Sequence, residues 1–335
     1  MTQLFSSRAL AAKSGIMATA DIKFSVRIHQ RGYSYQDLRE IWLAADRLGF
    51  HSATLYDLLN SPALECWTTL SALAVETSRI RLTPLVLANT YRPPPLLAKM
   101  AATLDVISQG RLELGIGAGG GEDDHRASGY PYPPIKTRVE MLEESVDIIK
   151  RLWQEPKVSH QGKHYSLREA VVDPKPVQKP HPPVLIGGHG QRFLMRAVAR
   201  HADICNIGFE MTLEDYDAKL NNLKEHCQRV GRDPAEIEVS HNTRVFIAEN
   251  PAEFDELVSS GAVAAKTTST AYRESLGRAI AGTPAQCRQQ IQRLVDHGIT
   301  YFFLLFPEPI SVASLNLFAK EVMPQFGRSE SKDQG

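Results

Sequence analysis

The sequence predicts an α/β protein, specifically a closed (β/α)8 barrel with loop insertions after its fourth and seventh strands. Strand-length segments with apolar residues at every second position alternate with longer segments whose apolar residues recur at helical spacing. Several of the helical segments stop at glycine, the residue that most readily closes a helix in the left-handed conformation. The alternation recurs eight times, which favours a closed barrel over an open doubly wound sheet. A chain of 335 residues is of a size that α/β barrels reach as one domain. We expect that domain to span residues 22–327, with a disordered extension over 1–21 and a disordered tail over 328–335.

KFSVRI (Lys23 to Ile28) alternates as a strand, and Leu38, Ile41, Trp42, Ala45 and Leu48 then mark a helix that ends at Gly49. Ser52 to Tyr56 is followed by a helix over Ala63 to Glu76. Ile80 to Leu87 is followed by one over Pro95 to Ser108, stopped by Gly110. Arg111 to Ile116 forms the fourth strand and Thr137 to Trp153 its helix. Five prolines between Pro174 and Pro183 exclude a continuous helix or a central strand, so HQGKHYSLREAVVDPKPVQKPHPP reads as a small hairpin and an extended arm. Val184 to Ile186 with Gln191 to Arg200, and Asp203 to Ile207 with Leu213 to Val230, are the fifth and sixth units. Ile237 to Ala248 is the seventh strand, followed by a helical insertion over Pro251 to Ile280 and a helix over Pro284 to His297. Tyr301 to Phe306 and a helix over Val312 to Gln325 close the pattern.

Composition removes several functions. Lys plus Arg number 38 against 38 Asp plus Glu, and no run of five like charges occurs, so no electrostatic footprint for nucleic acid is present. Cys66, Cys205, Cys227 and Cys287 lie far apart without a CxxC, which argues against a disulfide framework or a zinc ribbon and fits a reducing cytoplasm. No stretch approaches the length of a membrane span. The first twenty residues lack acids, but Lys13 interrupts the apolar run that a secretory signal needs.

In such a barrel, ligands bind at the C-terminal ends of the strands. GIGAGGG (Gly115 to Gly121) contains a formal GxGxxG. However, prolines at 131, 133 and 134 separate it from the next helix, so it is not a dinucleotide-binding turn. IGGHG (Ile186 to Gly190) passes almost directly into a helix and suits a phosphate. Glu122, Asp123, Asp124 and His125 are consecutive and cannot all converge on one ion. Acids there suit the start of a short helix, so no metal is expected, and His125 reads as bonding a backbone carbonyl. Alternation along the first strand points Ser25, Arg27 and His29 toward the barrel axis, placing His29 at the mouth as a candidate catalytic residue and Arg27 as a partner for an inward Glu113. Tyr130, Tyr132 and Phe209 are candidates for lining a substrate pocket. No GxSxG elbow supports a serine nucleophile, and the cysteines fall within helices or strands.

ADRLGF (Ala45 to Phe50), TSRIRLTPLVLANTYRPPPLLAKMAATLDVISQGRLELGIGAG (Thr77 to Gly119), EDDHRASGYPYPP, PKPVQKPHPPVLIGGHG (Pro174 to Gly190) and ARHAD (Ala199 to Asp203) together resemble the bacterial-luciferase-like superfamily of flavin- and coenzyme F420-dependent oxidoreductases. The resemblance implies a barrel holding an isoalloxazine or deazaflavin ring over its mouth, against a non-prolyl cis peptide at Leu85-Val86. Asn89 is then implied near the ring edge, with Asp57 hydrogen-bonding near the ring. Gly119 and Gly120 fall in the strand-four loop, and Gly187, Gly188 and Gly190 in the tail-binding turn. The implied activity is hydride transfer between F420 or FMN and a small organic substrate; with FMN, oxygen activation by a monooxygenase is the alternative. Leu58 and Gly120 stand where many relatives carry a histidine and a carboxylate proton donor. That departure leaves the proton donor unassigned and keeps an idle cofactor-binding barrel as a rival. The resemblance also implies a homo-oligomer, a dimer.

Overall fold

The computed structural model describes residues 21–188 and 193–327. The extension expected over 1–21, save Asp21, and the tail expected over 328–335 lie outside those residues.

Ten strands form one sheet: β1 (Lys23–Arg27), β2 (Ser52–Leu55), β3 (Arg81–Pro84), β4 (Leu87–Ala88), β5 (Leu114–Gly117), β8 (Val184–Gly188), β9 (Ile204–Ile207), β10 (Glu238–Ile247), β11 (Ile280–Gly282) and β12 (Tyr301–Leu305). Its order is β3-β2-β1-β12-β10-β9-β8-β5-β4, with β11 paired to β10 alone, and the pairings are parallel. The strand expected over Ile80 to Leu87 is thus two pieces. β3 pairs with β2, β4 pairs with β5, and a bridge from Leu82 to Leu112 closes the ring beneath the break. Counting β3 and β4 as one staved position gives the (β/α)8 barrel. The break holds a cis peptide at Leu85-Val86, where one was expected.

Helices α1 (Tyr35–Leu48), α2 (Cys66–Glu76), α3 (Pro94–Ile107), α5 (Ile135–Gln154), α6 (Leu194–His201), α7 (Leu213–Val230), α10 (Pro284–Val295) and α11 (Val312–Glu321) alternate with the barrel strands. Helix α1 has the predicted bounds because Ser34 and Asp37 cap its start reciprocally and Gly49, at φ 82°, closes its end. The insertion after the fourth barrel strand holds α4 (Glu122–Ala127) and, beyond α5, the antiparallel hairpin β6 (Val158–Gln161) and β7 (Ser166–Ala170). The insertion after the seventh holds α8 (Pro251–Ala264) and α9 (Ser269–Ser275).

Polar residues of the long motifs fasten loops under the barrel. Asp46 accepts hydrogen bonds from the backbone N–H groups of Ser78, Arg79 and Ile80, and Arg111 donates to the carbonyls of Ala74, Thr77 and Ile80. Asp105 holds Gln178 and Asp203 holds the Val184 N–H. At the barrel's lower end Glu113, only 2% exposed, accepts from Arg81, Thr83 and Tyr301 and bonds His51. Burial alone would raise its pKa; the bonds from His51 and Thr83 and the charge of Arg81 outweigh that and hold it at about 2. The expected Arg27–Glu113 pair does not form. Arg27 ends β1 at the mouth, whereas Glu113 precedes β5 at the opposite end, with the Ser25–Ser52–Tyr301 hydroxyl layer between.

Candidate active site

The ends of the barrel strands enclose a cavity of about 600 Å³. Arg27 enters from β1. Tyr56, Asp57 and Leu58 follow β2, Leu85 to Ala88 span the break in the third strand, and Gly117 to Gly120 follow β5. Gly187 and Gly188 end β8, Asn206, Gly208 and Phe209 come from β9 and its loop, and Asn242 comes from β10.

The floor is a valine set among glycines. A Cβ on Gly187 would lie 2.7 Å from Val86 Cγ1, and one on Gly117 would lie 2.9 Å from Val86 Cγ2 and 2.8 Å from the Gly187 carbonyl oxygen. Gly115 has no room either, facing the Pro84 carbonyl. Glycine at 117 and 187 is therefore a packing requirement, imposed by close approach of the broken strand to its neighbours. Gly119, at φ 85°, sits over Thr90 and His125. His125 Nδ1 is 2.8 Å from the Gly121 carbonyl and Nε2 is 2.7 Å from Thr90 Oγ1, so the ring donates at Nδ1 and accepts the threonine hydroxyl.

Asp57 does not present a free carboxylate. Its Oδ2 accepts the Ala88 N–H at 2.9 Å and Arg92 Nη1 at 2.8 Å, and its Oδ1 accepts Arg92 Nη2 at 2.9 Å. Arg92 also reaches Glu65 at 3.1 Å. Asp57 thereby ties β2 to β4 across the break. Tyr56 keeps its proton: burial raises its pKa, and the charge of Arg27, whose Nε donates to the hydroxyl at 2.5 Å, only partly opposes this. Asn206 and Asn242 bond each other, with Ser240 beneath them.

Of the residues singled out in the sequence, Asp57, Leu85, Val86, Gly119, Gly120, Gly187 and Gly188 line the cavity together. His29 does not. It lies past the end of β1, where its ring packs edge-on against Tyr56 at 4.9 Å. Asn89 is buried outside the lining, donating to the Tyr165 hydroxyl at 3.3 Å. Gly190 lies outside the described residues. Phe209 lines the cavity, whereas Tyr130 and Tyr132 pack around Tyr91 and His125 behind it. Among the described residues no three His, Cys, Asp or Glu side chains group to hold a metal ion.

Sequence reasoning missed Arg92 and Asn242. A seventh strand running to Ala248 would put its site residues after that position, but β10 outruns the barrel: Val245 to Ile247 pair with β11, and the mouth falls near Asn242. Alternation in SHNTRV could have found it, since Ser240 and Asn242 point inward while His241 bonds Tyr216 of α7.

The sequence profile described as luciferase-like monooxygenase matches residues 15–301. The chain belongs to that family. This luciferase-like protein is 26% identical over 336 residues to the F420-dependent glucose-6-phosphate dehydrogenase of Segniliparus rotundus, covering 91% of the chain and 98% of the relative. Its fold matches the coenzyme F420-dependent tetrahydromethanopterin reductase of Methanopyrus kandleri with a TM-score of 0.75 at 20% identity, over 92% of the chain and all of the other. It also matches the FMN-bound oxygenating constituent of 3,6-diketocamphane monooxygenase of Pseudomonas putida, with a TM-score of 0.72 at 19% identity, over 91% and 99% of the two chains.

Proposed function

We propose that the cavity at the barrel mouth seats the tricyclic ring of coenzyme F420 or FMN on the Leu85 to Ala88 ledge. The protein is a luciferase-like flavin- or deazaflavin-dependent oxidoreductase that passes hydride between that cofactor and a small organic substrate. The observation that carries the seating is the floor: Val86 locked among Gly115, Gly117 and Gly187 leaves a smooth apolar shelf under a cavity of about 600 Å³. That volume lies within the roughly 300–1,000 Å³ typical of such ligands. Gly119 and Gly120 would pass the ring edge, and Gly187 and Gly188 would open toward the tail.

When bound, the ring supplies the hydride-donating or hydride-accepting centre. The chain's own residues orient and shield it. Leu58, Leu87 and Phe209 exclude water, while Tyr56 presents a protonated hydroxyl beside Arg27. Asp57 acts indirectly, through the Ala88 N–H, by fixing the ledge. F420 is the preferred cofactor, because the relative matched over nearly its full length is named for it. The reading does not extend to sugar-phosphate dehydrogenation, since Leu58 and Gly120 replace the histidine and carboxylate that the resemblance associates with that chemistry. We place the enzyme in the cytoplasm, supported by four buried free cysteines, and read it as a dimer. No helix of the described residues is long and apolar enough to cross a membrane.

Titration of the purified apoprotein with F420 and with FMN, followed by absorbance and fluorescence, tests the assignment. Saturable F420 binding is expected. Tight FMN binding with none for F420 ends the preference, and binding of neither ends the proposal.

A further inference from the structure

We infer that Arg27 is a receptor for a small carboxylate, and that the substrate facing the cofactor carries one. The inference rests on the function proposed above only in assigning the carboxylate to a substrate.

Arg27 is the one cationic side chain lining the cavity among the described residues. Its Nε is committed to Tyr56 at 2.5 Å, and no carboxylate of the described residues lies within ion-pair distance of it. Among the described residues, neither Nη group has a hydrogen-bond partner. Two rings hold the guanidinium in place, with its carbon 5.2 Å from the Tyr56 centroid and 5.0 Å from that of Phe209. The other charges of the described residues near the mouth do not neutralise it. Asp57 is consumed by Arg92, Asp124 lines the cavity from the strand-four insertion without pairing with Arg27, and Glu308 is exposed, close enough to act on Tyr56 but not paired with Arg27.

A planar fork whose two terminal nitrogens no described residue engages is matched by a planar anion with two oxygens. A fixed positive charge in a largely apolar recess also raises the local concentration of anions. The single cation that the described residues place there suits one negative charge better than a polyphosphate. The same fork could instead hold the cofactor's phosphate, and the experiment separates the two sources.

Benzoate and its uncharged isostere benzamide serve as probes. Thermal shift of the full-length apoprotein is measured with each, and perturbation of the bound cofactor's spectrum is measured in the loaded protein, for wild type, Arg27→Met and Arg27→Lys. The expected result is stabilisation by benzoate but not benzamide. Apparent benzoate affinity should fall at least about tenfold in Arg27→Met and recover in part in Arg27→Lys, with cofactor affinity unchanged. Equal response to both probes, or benzoate binding indifferent to Arg27, overturns the inference. So does a tenfold loss of cofactor affinity in Arg27→Met with no benzoate binding, which assigns the fork to the cofactor. Should wild type bind neither cofactor, the proposed function fails, yet the apoprotein comparison still decides the carboxylate site. If Arg27→Met does not fold, Arg27→Gln, which can still donate to Tyr56, replaces it.

Discussion

At the scale of single residues, the cavity floor is an interlock that can be tested by compensation. Gly187→Ala brings a Cβ within 2.7 Å of Val86 Cγ1, and its next neighbour is the Asn206 carbonyl at 3.3 Å. Overpacking of this kind costs roughly 1–3 kcal/mol. Val86→Ala removes the clashing methyl, so the double variant Val86→Ala/Gly187→Ala should regain most of the loss in urea denaturation. Gly117→Ala should not be rescued by Val86→Ala, because the Gly187 carbonyl oxygen, 2.8 Å away, is backbone and remains. Equal rescue of both would refute the interlock. The Asp57–Arg92 pair makes a second residue-level prediction. With side chains 2% and 11% exposed, removing one partner leaves a buried charge. Arg92→Met should therefore destabilise by about 3–5 kcal/mol, and Asp57→Asn/Arg92→Met by less than the sum of the single changes. The sequence singled out Asp57 but not Arg92. An aspartate that ends a strand carries a positional signal, whereas the arginine that neutralises it sits in a loop with nothing to mark it.

At the scale of elements, the sheet sets a pH profile. His241 of β10 points outward against Tyr216, and burial lowers its pKa to about 4; His201, ending α6, is lowered to about 4 by burial and the charges of Lys150, Arg200 and Arg232. A group whose folded pKa lies below its ordinary 6.5 favours the fold fully above that value, so stability should begin to fall below about pH 6.5 and continue to about 4. Glu113, held at about 2 instead of 4.5, adds a second loss as pH falls below about 4.5 toward 2. Melting temperature measured from pH 8 to pH 3 should show both limbs, and His241→Gln should flatten the upper one. A flat profile between pH 6.5 and 4 would contradict the buried-imidazole account. Element identity was largely legible because strand and helix periods differ and caps such as Ser34 and Gly49 are written locally. The breaks in that legibility are tertiary. Nothing in RLTPLVLA announces that its first half pairs with β2 and its second with β5, and β10 runs past the barrel because β11, some thirty residues on, gives it a partner.

At the scale of the whole molecule, the barrel was readable from repetition, and the site only from the resemblance. The long motifs that carry the resemblance owe many of their polar residues to fastening: Asp46, Asp105, Arg111 and Asp203 tie loops beneath the barrel and do not line the cavity. A motif can thus identify the fold without marking the chemistry, which explains why Arg27 and Asn242, outside those motifs, were assigned no cavity role. Closure itself is testable. β12 joins β1 to β10, so ending the chain at Gly298 exposes two long parallel edges, and the truncated protein should aggregate where the full chain stays dispersed, as read by size-exclusion chromatography. The cavity floor coincides with the seam where the ring of strands is completed, since β3 pairs with β2, β4 pairs with β5, and an isolated bridge from Leu82 to Leu112 joins the two sides below. A guest lying across that seam acts as a keystone. Its arrival should slow amide deuteration in β3 and β4 more than in β10, and a slowing spread evenly around the ring would place the guest elsewhere.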